Sequence, residues 1–309
     1  MSSLPKSLEG PLLFQPNPLQ ADLDDSFRNI PRYLFRLHGS TTAGTTSDSE
    51  VTSLVWKMRR SSLQSKKLDL FQRKPQDAGS DLYHHLTWHI RGGTPPEENC
   101  NLMSWTSSLL FAIQYGLYRN MHQERFPRVP LQHLHILLVD TKEFPPGTFV
   151  RDLELIKTLL PAYPQLNEIQ QWRTRRDRRL YFGEYLSQGS LNIRGHCVQT
   201  SLEALINNGL FNLAPALGDG QHWHRLANRV LELRQPFNSG IPRSVTVKST
   251  FRDAITISQG GFGSRWTLPM ALMLLSLQPC LYDDSVIVSG LLAIFTGKLI
   301  ILERVDSRV

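Results

Sequence analysis

A single carboxylate, Glu184, stands in the aromatic and apolar run YFGEYLSQGSLNI, directly after Gly183. The run predicts a short strand, a turn and a second extended piece. A lone glutamate in such a run usually lies at the rim of a sheet, where its carboxylate reaches solvent. The alternative is a carboxylate held at the mouth of a cleft, where it takes part in chemistry. Residue type and position leave both interpretations open.

Two further polar features precede Glu184 along the chain. Arg36 lies inside the predicted strand PRYLFRLHG, and the hydroxyl cluster SWTSS, Ser104–Ser108, opens a predicted helix. A buried strand, predicted within LQHLHILLVDT and ending near Asp140, separates this cluster from Glu184. Each feature also has an ordinary explanation. Arg36 can be an edge-strand arginine, and the hydroxyl cluster can be a helix cap, because serine and threonine favour that position.

The order of these pieces resembles that of the ADP-ribosyltransferase fold, in the branch related to the heat-labile enterotoxins. The chain is also similar to an uncharacterised group of fungal proteins with the pattern PRYLFR…SWTSSLLFA…VDT…FGEYLSQG. The resemblance covers Pro31–Pro236. It implies an α+β fold in which a split mixed sheet with helices surrounds NAD. It also implies ADP-ribosyl transfer or NAD glycohydrolysis, with NAD as co-substrate and without a metal.

The resemblance assigns roles to three of these residues. Arg36 would bind the NAD phosphates or the nicotinamide-side ribose, since a planar guanidinium with several donors suits anionic oxygens. Glu184 would be the catalytic residue. It would hydrogen-bond a ribose hydroxyl and stabilise the oxocarbenium ion as the glycosidic bond breaks. Gly183 would let the backbone approach the ligand closely.

The hydroxyl cluster departs from the family's Ser-Thr-Ser motif at its first position. Thr106 and Ser107 match the last two positions and would orient the glutamate and line the nicotinamide pocket, but Trp105 stands at the first. Either Ser104 does the work of the first serine, or Trp105 serves as an aromatic platform, or the site is degenerate. A second departure is Phe182, because arginine-modifying members carry Glu or Gln there. An arginine acceptor is therefore not indicated.

The main alternative is a catalytically inactive protein-interaction module on the same scaffold, since members of a fold can lose activity and keep the sheet. Its binding surface would include the basic run WRTRRDRR, residues 172–179, and the helical C-terminal half. We expect the five arginines of this run to form a solvated helix face outside the catalytic centre, because Asp177 is its single acid. The run could instead meet phosphate, which leaves a nucleic acid partner open beside a protein acceptor.

Net charge and cysteine spacing indicate the class of binding partner and the cellular compartment of the protein. The 309 residues include 40% hydrophobic and 20% charged side chains, which is typical of a globular protein. The net charge of +7 favours an anionic ligand or partner. Cys100, Cys197 and Cys280 are far apart in the sequence. We therefore expect neither a disulfide framework nor a cysteine zinc site, and an intracellular location.

No segment suggests a membrane or a metal. The N-terminus lacks the basic start and continuous apolar core of a signal peptide. The apolar stretches 268–281 and 285–302 are too short or too interrupted for a membrane span and are interpreted as buried core. His85 and His89 are four residues apart, but Leu86 stands where a metalloprotease helix carries its glutamate.

The chain divides into three predicted parts: a flexible leader at 1–25, an ADP-ribosyltransferase-like α+β domain at 26–200 and a mostly helical C-terminal region at 201–309. A helix is predicted within SDLYHHLTWHI, with Ser80 or Asp81 as its cap. A second helix follows the hydroxyl cluster and should pack by Leu110, Ile113 and Leu117, which have helical spacing. The C-terminal helices form either a separate lobe or a helical jacket on the first domain.

Overall fold

The computed structural model describes residues 10–16, 22–58, 62, 66–91, 100–121, 128–175, 180–238 and 247–278. These residues form a mixed α+β structure, as the sequence predicts. The helices are α1 (Asp22–Arg28), α2 (Leu54–Lys57), α3 (Pro75–Arg91), α4 (Leu109–Met121), α5 (Asp152–Leu159), α6 (Leu166–Thr174), α7 (Leu202–Asn207), α8 (Leu210–Leu213), α9 (Leu226–Asn238), α10 (Val247–Phe262) and α11 (Thr267–Leu275). The strands are β1 (Tyr33–His38), β2 (Thr45–Thr46), β3 (Glu50–Thr52), β4 (Leu102–Thr106), β5 (His135–Asp140), β6 (Val150–Arg151), β7 (Glu184–Gln188), β8 (Ser190–Asn192) and β9 (Cys197–Ser201).

The strands form two sheets. One has six strands in the order β6-β7-β4-β1-β5-β9, and the other has three in the order β2-β3-β8. Every strand pair among the described residues is antiparallel, so this part of the chain contains no parallel pair of the kind that a mixed sheet has. The strands that carry Arg36, the hydroxyl cluster and Glu184 are β1, β4 and β7, and they are neighbours.

The large sheet opens between β1 and β4. Strand β1 pairs with β5 over its full length, but it pairs with β4 at one position, Phe35 with Thr106. On the other side, β4 pairs with β7 over its full length, and Thr106 lies opposite Glu184. The side chain of Arg36 enters the gap, where Nη1 donates to the carbonyl oxygen of Ser104 at 2.7 Å. The Ser104 carbonyl lies in the part of β4 that does not pair with β1, and this bond gives it a hydrogen-bond donor.

The two faces of the sheet bury different apolar clusters. Alternation along β1 places Leu34 in a cluster with Trp105 and Phe35 in a cluster with the C-terminal helices. That second cluster joins sheet residues to Ala254 of α10 and Met270 of α11. The described helices after Ser201 therefore cover the sheet, as in the jacket alternative. The segment 268–278 is buried in part, as predicted, and 285–302 lies outside the described residues.

Ordered structure extends further at two places than the sequence suggests. In the expected leader, Phe14 is buried and Leu12 forms a β-bridge with Gln188. The helix expected to begin at Ser80 or Asp81 begins at Pro75, so this boundary is wrong. A proline is well tolerated in the first helical turn, because the N–H groups there have no intrahelical partner.

Candidate active site

Three of the predicted site residues meet at the split in the sheet. The hydroxyl of Ser104 donates to Oε1 of Glu184 at 2.8 Å, and Arg36 holds the Ser104 carbonyl. Ser104 precedes Thr106 by two residues, so both point to the face of the sheet on which Glu184 lies. Arg36, Ser104, Thr106 and Glu184 all line one cavity of about 1030 Å³. The cavity is at the upper end of the range for ligand sites, which is roughly 300–1,000 Å³.

Ser104, rather than Trp105, occupies the position that faces the glutamate. The indole of Trp105 is 2% exposed and packs edge-on against Phe149 at 5.6 Å between ring centroids. Its Nε1 donates to the hydroxyl of Ser187 at 2.8 Å. Of the alternatives for this motif, the geometry matches the one in which Ser104 does the work of the first serine.

Glu184 is an ionised carboxylate with two fixed partners. It begins β7, its side chain is 25% exposed, and its Oε2 accepts from Nη2 of Arg173 at 2.7 Å. Burial acts to raise the pKa of Glu184. The charge and hydrogen bond of Arg173 outweigh burial, with help from His85 and Ser104, so the pKa lies below its usual value. A carboxylate has about four lone-pair sites, so capacity remains for a ligand hydroxyl.

Arg173 belongs to the candidate site, contrary to the prediction that the whole basic run is a solvated face. Its side chain is 9% exposed, and Nη1 lies 2.6 Å from Oδ2 of the fully buried Asp152. Burial acts to lower the pKa of Arg173, but the negative charges of Asp152 and Glu184 raise it by a larger amount. The net shift of the pKa is upward, so the guanidinium stays charged. The guanidinium can be buried because these two carboxylates compensate it. The adjacent Arg175 is exposed, and residues 176–179 lie outside the described part.

Asp152 is the acid of this cluster that holds its proton more tightly. Burial raises its pKa to about 7, Arg173 opposes the shift, and the negative charge of Glu184 adds to it. The contact between Asp152 and Arg173 is a close ion pair without hydrogen-bond geometry. The two carboxyl groups around Arg173 therefore differ in protonation at neutral pH: Glu184 is ionised, and Asp152 is near its titration point.

His85 is a site residue that the sequence interpretation missed. It projects from α3, with Nε2 at 2.9 Å from Oγ of Ser104 and Nδ1 at 3.1 Å from Sγ of Cys100. Burial lowers the pKa of His85 to about 4, so the imidazole is neutral at neutral pH. Burial also raises the pKa of the Cys100 thiol to about 12. One tautomer fits these contacts: Cys100 S–H donates to Nδ1, and Nε2–H donates to the serine oxygen, which donates to Glu184.

A sequence signal for His85 exists, since Leu82, His85 and Leu86 are spaced i, i+3 and i+4. The two leucines are buried, so the histidine between them shares the buried face of α3. The spacing of His85 and His89 suggested only a metal pair. Among the described residues, no group of three or more His, Cys, Asp or Glu side chains could hold a metal ion.

The other hydroxyls of the cluster fix the chain just before β7. Oγ1 of Thr106 donates to the carbonyl of Phe182 at 2.6 Å, and the amide of Ser107 donates to the carbonyl of Gly183 at 2.8 Å. Gly183 has φ +70°, and a Cβ there would lie 2.0 Å from Oγ of Ser107. Ser107 and Gly183 are not among the described residues that line the cavity, so they contact each other rather than its interior.

Arg36 is a buried positive charge in the cavity wall. It is 8% exposed, and its donors reach the Ser104 carbonyl and, at 3.2 Å, the hydroxyl of Thr46. Burial lowers the pKa of Arg36 to about 10, and Tyr115 opposes the shift, so the guanidinium remains charged at neutral pH. In the described part of the chain no carboxylate forms an ion pair with it. Such a charge favours an anionic ligand beside it.

Comparisons of the chain with protein families, with curated proteins and with solved structures find no match. The functional interpretation therefore depends on the residues that meet in the cavity. In the described ranges, no helix has both the length and the apolar composition that crossing a bilayer requires.

Proposed function

We propose that the chain binds NAD in this cavity and breaks the bond between ribose and nicotinamide, with ADP-ribose passing to water or to an acceptor. The observation that carries the proposal is the meeting of Arg36, Ser104 and Glu184 from three adjacent strands. The sequence resembles ADP-ribosyltransferases at Arg36 and Glu184, and Ser104 stands one residue before the first position of the Ser-Thr-Ser motif. The two-sheet architecture is compatible with that fold, and the fold assignment is part of the proposal.

Each of the three residues has a task that its surroundings support. Arg36 would bind the diphosphate, because it is a buried cation without a carboxylate partner in the described residues. Glu184 would accept a hydrogen bond from a ribose hydroxyl, and its negative charge would stabilise the oxocarbenium ion. Ser104 would hold Oε1 of Glu184 in place, with its own oxygen fixed by His85.

The bond changes balance without a metal or an oxidant. The bond from ribose C1′ to the nicotinamide nitrogen breaks, and its electron pair leaves with nicotinamide, which becomes neutral. An oxygen of water, or a nucleophilic atom of an acceptor, then bonds to C1′ and releases one proton. The low pKa of Glu184 suits this reaction, because the charge that stabilises the cation is present throughout the neutral range.

The test is release of nicotinamide from NAD by the purified full-length chain, alone and with cell extract, measured by chromatography. We expect release above that of a heat-inactivated sample. If neither condition yields release, the catalytic proposal fails, and the remaining interpretation is an inactive interaction module on this scaffold.

A further inference from the structure

The buried side chain of Asp152 is connected to Glu184 by a single guanidinium, that of Arg173. Nη1 of Arg173 lies 2.6 Å from Oδ2 of Asp152, and Nη2 lies 2.7 Å from Oε2 of Glu184. Glu184 and Arg173 line the cavity, whereas Asp152, the first residue of α5, is not among its described lining residues. A change at Asp152 therefore reaches Glu184 through the cation that both carboxylates contact.

One proton decides the net charge of this cluster. When Asp152 and Glu184 are both ionised, two negative charges surround the positive charge of Arg173, and the cluster is negative overall. When Asp152 is protonated, the charge of Arg173 balances that of Glu184, and the cluster is neutral. An oxocarbenium ion beside Glu184 is a cation, so the negative form of the cluster stabilises it more strongly.

The surroundings of Asp152 place this proton in the neutral range. Burial raises the pKa of Asp152 to about 7, while Arg173 opposes the shift and Glu184 adds to it. Burial of Glu184 is outweighed by Arg173, so the pKa of Glu184 lies below its usual value. His85 reaches the cluster from α3, which packs on α5, and burial lowers its pKa to about 4. Neither Glu184 nor His85 therefore changes charge near pH 7.

The other ionisable groups that act on Asp152 also keep their charge state near pH 7. They are Arg151 at the end of β6, Tyr181 just before β7 and Tyr185 on β7. Burial acts to lower the pKa of Arg151, but its hydrogen bond to Tyr181 contributes to a net rise, so the guanidinium stays charged. Burial raises the pKa of Tyr181 and that of Tyr185, so both hydroxyls stay neutral.

We propose that Asp152 is a positioning residue that controls, through Arg173, how much of the charge of Glu184 is available to the reaction. Ionised Asp152 shares the positive charge of Arg173 and leaves the negative charge of Glu184 to stabilise the oxocarbenium ion. Protonated Asp152 leaves Arg173 to neutralise Glu184, which slows the release of nicotinamide. The inference rests on the proposed NAD function, and it requires turnover to rise with pH through the neutral range.

The test compares nicotinamide release by the full-length wild type and by Asp152→Asn between about pH 6 and about pH 8.5. Asparagine has the shape of a protonated aspartic acid, and its carbonyl oxygen can still accept from Arg173, but it has no negative charge at any pH. Asp140→Asn is the matched control, because Asp140 also pairs with an arginine, Arg32, and is not a lining residue.

We expect release by the wild type to rise by about 10-fold across this range, the effect of a unit charge about 10 Å from the reacting atoms at an effective dielectric constant of about 20. Asp152→Asn should keep the low-pH rate of the wild type at every pH, and Asp140→Asn should follow the wild type. A constant ratio of the wild-type rate to that of Asp152→Asn at all pH values would indicate a structural role alone and would overturn the proposal.

The melting temperature supplies a second measurement, which does not need NAD. The pKa of Asp152 rises from 3.8 to about 7 through burial, so the folded state binds this proton more tightly than the unfolded state does. Relative to Asp152→Asn, the wild type should therefore lose stability as the pH rises from 3.8 to about 7. A melting difference that stays constant over this range would also overturn the proposal.

Failure of this inference and failure of the NAD function give different results. Nicotinamide release by the wild type with the same pH profile as Asp152→Asn would refute the role of Asp152 and leave the NAD function intact. Absence of release from the wild type at every pH would refute the NAD function. The control of turnover by Asp152 would then be refuted with it, even if the melting difference follows pH.

Discussion

Nη2 of Arg173 donates to Oε2 of Glu184 at 2.7 Å, so a residue of the basic run holds the carboxylate at the centre of the site. The same guanidinium contacts the buried Asp152. Because two carboxylates share one cation, loss of Arg173 affects both the fold and the charge of Glu184.

Replacement of Arg173 by Gln should strongly destabilise the protein. Asp152 and Glu184 would lose the cation that they share, and breaking a buried ion pair by removing one partner costs about 3–5 kcal/mol. Arg175→Gln is the matched control, since Arg175 is exposed, and it should change the free energy of unfolding by less than about 0.5 kcal/mol. Urea denaturation measures both. Equal stability of the two variants would show that the buried cluster contributes little.

Arg36 should matter more for NAD binding than for stability. Arg36→Met takes away the donor to the Ser104 carbonyl, but it also removes a buried charge that no described carboxylate compensates. Because these two effects oppose each other, we expect the free energy of unfolding to move by no more than about 1 kcal/mol. Loss of a charge-assisted hydrogen bond should weaken NAD binding by about 10- to 100-fold. Calorimetric titration in a Glu184→Gln background, where turnover is suppressed, measures this.

The control for Arg36 is Arg32→Gln. The Arg32 side chain is 55% exposed, and it pairs with Asp140 rather than facing the cavity. It should bind NAD like the Glu184→Gln parent. If Arg36→Met binds equally well, Arg36 is not a phosphate ligand.

Gly183→Ala should destabilise the protein through a clash as well as through backbone strain. The residue has φ +70°, and its Cβ would lie 2.0 Å from Oγ of Ser107. Gly195→Ala isolates the strain, because Gly195 has φ +80° and nothing within 4 Å of the added Cβ. We expect Gly183→Ala to cost over about 1 kcal/mol more than Gly195→Ala. Adding Ser107→Ala to Gly183→Ala should recover part of that difference. Absence of recovery in urea denaturation would argue against a clash with the Ser107 hydroxyl.

His85 should make the protein less stable in mild acid. Burial lowers the pKa of His85 from 6.5 to about 4, so the folded state disfavours its protonated form. The stabilisation is fully present above pH 6.5 and is lost as the pH falls towards about 4. In His85→Gln this loss should disappear. The melting temperature of the wild type, relative to the variant, should therefore fall as the pH decreases through this range. A difference that does not change with pH would contradict a buried neutral imidazole.

Local patterns were sufficient to predict β1 and β7, two of the three strands that carry the site. Alternating and apolar runs predicted β1, β5 and the helix after the hydroxyl cluster, where Ile113 and Leu117 are buried and Leu110 is partly buried, as expected. The resemblance to ADP-ribosyltransferases, rather than a local pattern, predicted that Arg36, the hydroxyls and Glu184 lie in one sheet around the ligand. The structure places these strands side by side.

Local patterns did not predict the helix residues that complete the site. Arg173 and His85 reach Glu184 and Ser104 from α6 and α3, and these contacts depend on how the helices pack on the sheet. A run of five arginines resembles a solvated face until the buried Asp152 is known to lie beside one of them. The partner that allows a charge to be buried is distant in sequence, so composition alone cannot identify it.

The most direct test of the proposed function is nicotinamide release by Glu184→Gln compared with the wild type and with Glu203→Gln, a control at an exposed glutamate of α7. Glutamine keeps the shape of the side chain and removes its charge, and Arg173 retains Asp152 as a partner, so the fold should persist. We predict that Glu184→Gln lowers NAD turnover by about 100- to 1000-fold with an unchanged melting transition, while Glu203→Gln turns over NAD like the wild type. Equal nicotinamide release by the wild type and Glu184→Gln would contradict the catalytic role of Glu184.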